Sequence, residues 1–215
     1  MADLRSRAGA LLEPLGRAIP LSPNAITLVA LACNLAAAVA LALAPQARIL
    51  WLVAIALAGV GGLLDILDGV VARARNQMSR WGDFLDHFCD RVSDLSLMAG
   101  WILGAAVHPM IGIPTLAAVM LNGYVGTQVE ATFRTREYET VGRGQYYAAM
   151  LGLPMLAWWL GERLTAAPMA GPLSGADLLT AGVGAAAIFG TLQRVRVARR
   201  VAASQESGKD SRPVE

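Results

Sequence analysis

Apolar residues run along the chain in long stretches separated by short polar segments. A membrane-crossing helix needs roughly 20 mostly apolar residues. Six segments meet that pattern, at about 25–43, 50–71, 83–105, 112–132, 146–160 and 178–197. They are rich in Ala, Leu and Gly and lack the dyad alternation of membrane strands. Turn chemistry punctuates them: Ser22-Pro23-Asn24 before the first, Ala44-Pro45-Gln46 after it, His108-Pro109 after the third, and Gly171-Pro172 before the sixth. Pro and Gly at these points fit helix ends, and Pro154 falls inside the short fifth segment. The pattern predicts an all-α, polytopic membrane protein, a bundle of six transmembrane helices spanning residues 21–203.

The two ends read differently. Leu4, Ala8, Leu11, Leu12 and Leu15 recur at helical spacing with Arg5, Arg7 and Glu13 between them. This predicts an interfacial amphipathic helix within residues 1–20, kinked or ended by Pro14. No signal-peptide pattern is found at the start. Residues 204–215 are polar without periodicity and read as a disordered tail.

Composition supports the membrane reading. Of the 215 residues 55% are hydrophobic and 16% charged, against about 25% charged in ordinary soluble domains. Mean hydropathy is +0.49. Two cysteines exclude a disulfide scaffold. Lys and Arg collect on the cytoplasmic side of short loops. Arg5, Arg7 and Arg17, then Arg73, Arg75 and Arg80, then Arg134, Arg136 and Arg143, and finally the run from Arg194 to Arg212 all fall on one side of six spans. Only Arg48 and Arg163 fall on the other, and Arg91 lies within the third span. Both termini are therefore expected in the cytoplasm. Trp51, Trp101, Trp158 and Trp159 fall near the outer helix ends, where interfacial tryptophans are expected.

The charges between residues 65 and 94 break this pattern. Asp65 and Asp68 are three apart near the end of an apolar helix, and Asp86 and Asp90 are four apart near the start of the next. Such spacings put each pair on one helix face, and a short loop makes the two helices antiparallel neighbours. Four carboxylates at one depth repel and are costly to desolvate. Hard divalent cations such as Mg²⁺ or Mn²⁺ would hold them together, and a pair of ions about 3.5–4 Å apart would suit phosphoryl transfer. Asp83 reads as a first-turn acid on the helix dipole, and Asp94 as either a partner of Arg91 or a fifth site acid. Gly59, Gly61 and Gly62 read as tight packing positions.

Written out, the segment is Asp65-x-x-Asp68-Gly69-x-x-Ala72-Arg73, eight residues, then Gly82-x-x-x-Asp86-x-x-x-Asp90. It resembles the signature of the CDP-alcohol phosphotransferase family at all eight fixed positions. A chance match is on the order of 10⁻¹⁰ per start position. Pro23-Asn24-x-Ile26-Thr27 at the first helix is also similar to that family. The resemblance implies a six-helix membrane bundle, commonly a homodimer, with its active site open to the cytoplasm. It implies transfer of a substituted phosphate from a CDP-linked lipid, such as CDP-diacylglycerol, to an alcohol, with CMP leaving. Asp65, Asp68, Asp86 and Asp90 would ligate metal, Asp90 would also be the general base, Gly69, Ala72 and Gly82 would admit the cytidine nucleotide beside Asp68, and Arg73 would face its diphosphate.

The acceptor pocket must come from outside the signature. Asn122, Gly126 and Glu130 share one face of the fourth helix, with Gln128 nearby, and Arg134, Arg136 and Arg143 follow within ten residues. Glu130 and these arginines are the candidate acceptor ligands, favouring a phosphorylated polyol such as glycerol 3-phosphate or inositol phosphate. Family members that use inositol phosphate carry an Arg-rich stretch with acidic partners at the start of the fifth helix. Here Val141-Gly142-Arg143-Gly144-Gln145 has one arginine and no acid. His87 reads as a packing histidine on another face, and Cys33 and Cys89 as small apolar fillers. An intramembrane Mg-dependent prenyltransferase and a metal transporter are the alternatives. The first resembles larger bundles with its two motifs far apart, and the second needs a site near mid-membrane. Nothing supports nucleic-acid binding.

Overall fold

The computed structural model describes residue 14, residues 16–133, 143–165 and 173–210, with side chains beyond 205 outside the described set. It is helical, with no strand among the described residues. The long helices are α1 (Pro23–Leu43), α2 (Ile49–Ala74), α3 (Arg80–Gly104), α4 (Pro109–Phe133), α5 (Arg143–Leu160) and α6 (Gly175–Asp210), with one helical turn at Glu162–Thr165. Four of them, Pro23–Gln46, Ile49–Ala74, Pro109–Phe133 and Gly175–Gln205, are long and apolar enough to cross a membrane. α5 has 18 residues. The N-terminal part of α3 carries Asp83, Asp86, Asp90, Arg91 and Asp94, which lowers its hydropathy. Large apolar side chains such as Leu63 (69% exposed) and Leu103 (67%) face outward. In water these would be a liability, and in lipid they are the solvated surface.

Local chemistry sets the helix ends around the site. Ser22 Oγ accepts from Ala25 N at the start of α1, and Ser79 Oγ from Gly82 N at the start of α3. α2 ends with Asn76 at φ 54°. Gln77 N donates to Ala72 O and Asn76 N to Arg73 O, the paired bonds of a Schellman cap. The same pair closes α3 at Ala106. The cap at Asn76 and the N-cap at Ser79 turn the chain between α2 and α3, the interval that spaces the two halves of the signature.

The expected pairing of α2 with α3 is not the one found. α1 packs against both, while α2 and α3 make little direct contact. The α1–α3 seam is close because Gly100 and Gly104, four apart, face α1. A Cβ at either would overlap the backbone carbonyl of Ala38 or Leu41. α4 and α6 form a second pair, and α5 rests mainly on α2. The gap left between α2 and α3 holds the carboxylates.

Trp51 and Trp101 are not interfacial. Both are buried, with ring centroids 5.8 Å apart, and Trp101 Nε1 donates to Thr180 Oγ1 at 2.8 Å. The hydroxyl satisfies the indole N–H, which lets the ring enter the core. Trp159 is exposed, and Arg48 sits over Trp158 and caps the carbonyls at the end of α5. α6 continues to Asp210, past Ser204 where the tail was expected to begin, because Ala, Arg, Gln and Glu sustain a helix without an apolar face. Most of the predicted N-terminal helix lies outside the described residues. Its described end packs on the end of α2, where a Cβ at Gly16 would touch Ala74 and Val70, and Arg75 Nη1 donates to Leu21 O at 3.1 Å.

Candidate active site

Two cavities adjoin the signature acids, the second through Arg143, which pairs with Asp65 and Asp90. The first is open, about 170 Å³, and lies at the gap between α2 and α3. Asp68, Gly69, Ala72, Arg73, Gly82 and Asp86 line it, so six of the eight signature positions converge there. α1 supplies the rest of the wall through Asn24 and Thr27. Thr27 Oγ1 donates to Asp68 Oδ2 at 2.5 Å, which fixes a carboxylate only 5% exposed. The small residues act by what they leave open. A Cβ at Gly69 would press on the Arg73 guanidinium, and one at Gly82 on Ser79 Oγ and Asn24 Oδ1.

Asp65 and Asp90 stand beside this cavity and are joined by α5. Arg143 Nη1 lies 2.8 Å from Asp65 Oδ2 and 2.6 Å from Asp90 Oδ1. Asp90 is 8% exposed, and its enclosed Oδ1 makes no hydrogen bond beyond that ion pair. The structure therefore brings the acids of both helices to one place, through a bridging arginine and a gap instead of direct helix contact. His87 does not point away as expected: ligand atoms of Asp86, His87 and Asp90 all lie within 4.8 Å of one another. The set fits a hard divalent cation, since carboxylate oxygens dominate it and the enclosed Asp90 Oδ1 keeps lone pairs unused by hydrogen bonds. Of the packing glycines, Gly61 and Gly62 make room for the polar side chains of Asn34 and Tyr147, and Gly59 faces open space.

The second cavity, about 100 Å³, lies deeper, between α3, α4, α5 and α6. Arg91, Arg143 and Arg194 line it with Asp94, Asn122 and Tyr146. Arg194 Nη1 donates to Asn122 O at 3.2 Å, and its guanidinium fills the space a Cβ at Gly126 would need. Of the acceptor residues expected from sequence, Asn122 and Arg143 line this cavity. Glu130 does not, Gln128 is occupied with Thr132 on the surface, and Arg134 and Arg136 lie outside the described residues. Arg194 carries no functional signal in the sequence, because topology already accounts for its charge, and Arg91 signals only a helical partner for Asp94. Thr27 was visible only within the family-like opening of α1.

Known proteins resemble this chain in sequence and in fold. The sequence profile of the CDP-alcohol phosphatidyltransferase family matches residues 20–183. The chain is 32% identical to the archaetidylinositol phosphate synthase of Pyrococcus horikoshii over 133 residues, covering 60% of this chain and 68% of that protein. It is 32% identical to the phosphatidylinositol phosphate synthase of Corynebacterium glutamicum over 135 residues, 61% of this chain and 59% of that one. The fold matches the crystal structure of Mycobacterium tuberculosis phosphatidylinositol phosphate synthase with CDP-DAG bound, at TM-score 0.65 and 20% identity, over 88% of this chain and 94% of that one. The same enzyme with manganese and citrate matches at TM-score 0.63 and 20% identity, over 89% and 87%.

Proposed function

The chain belongs to the CDP-alcohol phosphatidyltransferase family, and on that premise we propose that it transfers the phosphatidyl-type group of a CDP-linked lipid to a phosphorylated polyol, inositol phosphate first among the candidates. As a family member it is a membrane-embedded transferase of substituted phosphate groups. Membership sets aside the prenyltransferase and the transporter. The observation that carries the choice of acceptor is the arginine cavity, in which Arg91, Arg143 and Arg194 face one space next to the signature acids. Guanidinium groups recognise phosphate bidentately. The names of the relatives favour inositol phosphate, although the start of α5 departs from the pattern expected of such enzymes. Glycerol 3-phosphate is the competing candidate.

Under this proposal Gly69, Ala72 and Gly82 form the floor for the cytidine nucleotide and Arg73 faces its diphosphate. Asp65, Asp68, Asp86 and Asp90 would hold Mg²⁺ or Mn²⁺, as two ions. When bound, the metal neutralises the donor diphosphate and polarises its phosphorus. Asp90, paired with Arg143, takes the proton of the acceptor hydroxyl. The acceptor oxygen then bonds to the lipid-bearing phosphorus, the bond from that phosphorus to the CMP oxygen breaks, and CMP departs. Thr27 holds Asp68 in place throughout. The basic residues gathered at this end of the bundle support a cytoplasmic site and cytoplasmic termini. The homodimer implied by the resemblance belongs to the same proposal, with crosslinking in membranes as its test.

The deciding experiment supplies purified protein with Mg²⁺ or Mn²⁺, CDP-diacylglycerol, and inositol phosphate, glycerol 3-phosphate, inositol or glycerol in turn. CMP release with a phosphorylated acceptor and not with its unphosphorylated counterpart is expected. Release with free inositol or glycerol alone would refute the acceptor reading.

A further inference from the structure

The signature ends at Asp90, yet one turn further along α3 stands an aspartate outside it. Asp94 is 3% exposed. Its Oδ2 lies 3.3 Å from Arg91 Nη2 and its Oδ1 3.5 Å from Arg143 Nε. One carboxylate thus faces two guanidiniums from different helices, and all three groups line the arginine cavity. The backbone carbonyl of the same residue accepts from Tyr146 Oη at 2.6 Å, which fastens α5 to α3 at this level. α4 closes the far side of Arg91, because a Cβ at Gly123 would overlap its guanidinium.

A buried ion pair adds little net stability over apolar packing, so stability alone is a weak reason for charge here. Orientation is a better one. Arginine has a long stem with several free torsions, and a guanidinium held in advance loses less freedom when it meets a ligand. Both oxygens of Asp94 are turned to arginines, so the carboxylate is screened from the cavity it helps to shape. The lining of the cavity itself holds three guanidiniums and one carboxylate, with Arg143 shared with Asp65 and Asp90 outside it, a donor-rich wall suited to a phosphate group.

We propose that Asp94 is a positioning residue for acceptor binding, holding Arg91 and Arg143 so that both present N–H groups to the acceptor's phosphate, and that Arg91 is itself a phosphate ligand. This rests on the reading of the arginine cavity as the acceptor site. Asp94→Asn keeps the side-chain shape and removes the charge. With CDP-diacylglycerol as donor and inositol phosphate or glycerol 3-phosphate as acceptor, whichever the wild type uses, it should raise the acceptor KM roughly tenfold, the scale seen when a partner that orients a ligand group is removed. The donor KM should stay within about twofold of wild type. Arg91→Gln should do the same. The double variant should lose less than the product of the two single losses, because both act through one contact. A purely structural role would move donor and acceptor KM together, and that result, an unchanged acceptor KM, or multiplicative losses in the double variant would each overturn the proposal. If Asp94→Asn does not fold, Arg91→Gln alone decides by the same split in KM. A wild-type protein saturated by neither phosphorylated acceptor would refute the cavity reading and the positioning role with it. Saturation in the wild type with an unaltered KM in the variants would refute only the positioning role.

Discussion

The acid-lined cavity and the arginine-lined cavity have no lining residue in common among the described residues and are assembled in opposite ways. The first draws its signature residues from positions 68–86, with Asn24 and Thr27 of α1 as the added wall. The second draws its charges from Arg91, Asp94, Arg143 and Arg194, spread over three helices and about half the chain. Local spacing can align carboxylates on two consecutive helices, because i, i+3 and i, i+4 positions share a face. No local rule brings Arg194 to Arg91. The comparison teaches that the reactive chemistry is written in one short segment, while the choice of acceptor depends on how distant helices pack.

Four results test that contrast. The largest effect is expected at the acid cavity: Asp68→Ala or Asp86→Ala should lower CMP release by at least ~10³-fold at saturating donor and acceptor. Removal of divalent metal by a chelator should do the same to the wild type, reversed by adding Mg²⁺ or Mn²⁺. Near-normal turnover in either aspartate variant would separate the signature from the chemistry. At the arginine cavity, Arg194→Ala should weaken acceptor binding by roughly 10–100-fold, the scale of a charge-assisted hydrogen bond to phosphate. Its donor KM, measured with CDP-diacylglycerol, should not follow. A loss shared equally by both substrates would mean that the two cavities are not functionally distinct. The smallest effect is expected from Gly126→Ala, which removes no functional group and only displaces the Arg194 guanidinium. A several-fold rise in acceptor KM, smaller than that of Arg194→Ala, would show that α4 sets the arginine's position.

Legibility in the sequence followed the same divide. The long helices lie close to where apolar runs and Pro or Gly breaks put them, and Ser22 and Ser79 mark starts that capping chemistry makes visible. Interfacial placement of Trp51 and Trp101 failed because position along a helix does not tell whether a ring faces lipid or core. A single hydroxyl, Thr180, sixth-helix in origin, decides it for Trp101. His87 was misjudged because helical spacing gives a face but not a side-chain direction, and its ring nitrogen lies with Asp86 and Asp90. Arg194 reads as one of the charges that set topology, since positive-inside patterning and phosphate binding ask for the same residue type, and Arg91 reads as a partner of Asp94 within its helix.

From the sequence alone came the membrane class, the helices, the acids and the family, because each depends on composition or on spacing within one segment. Tertiary structure decided that α2 and α3 stand apart against α1, since Gly100 and Gly104 let α3 approach α1 closely. It decided that Arg143 joins Asp65 to Asp90, and that Gly123 and Gly126 seat two arginines beside it. These are contacts between residues far apart in the chain, and only the packing of helices on one another brings them within reach.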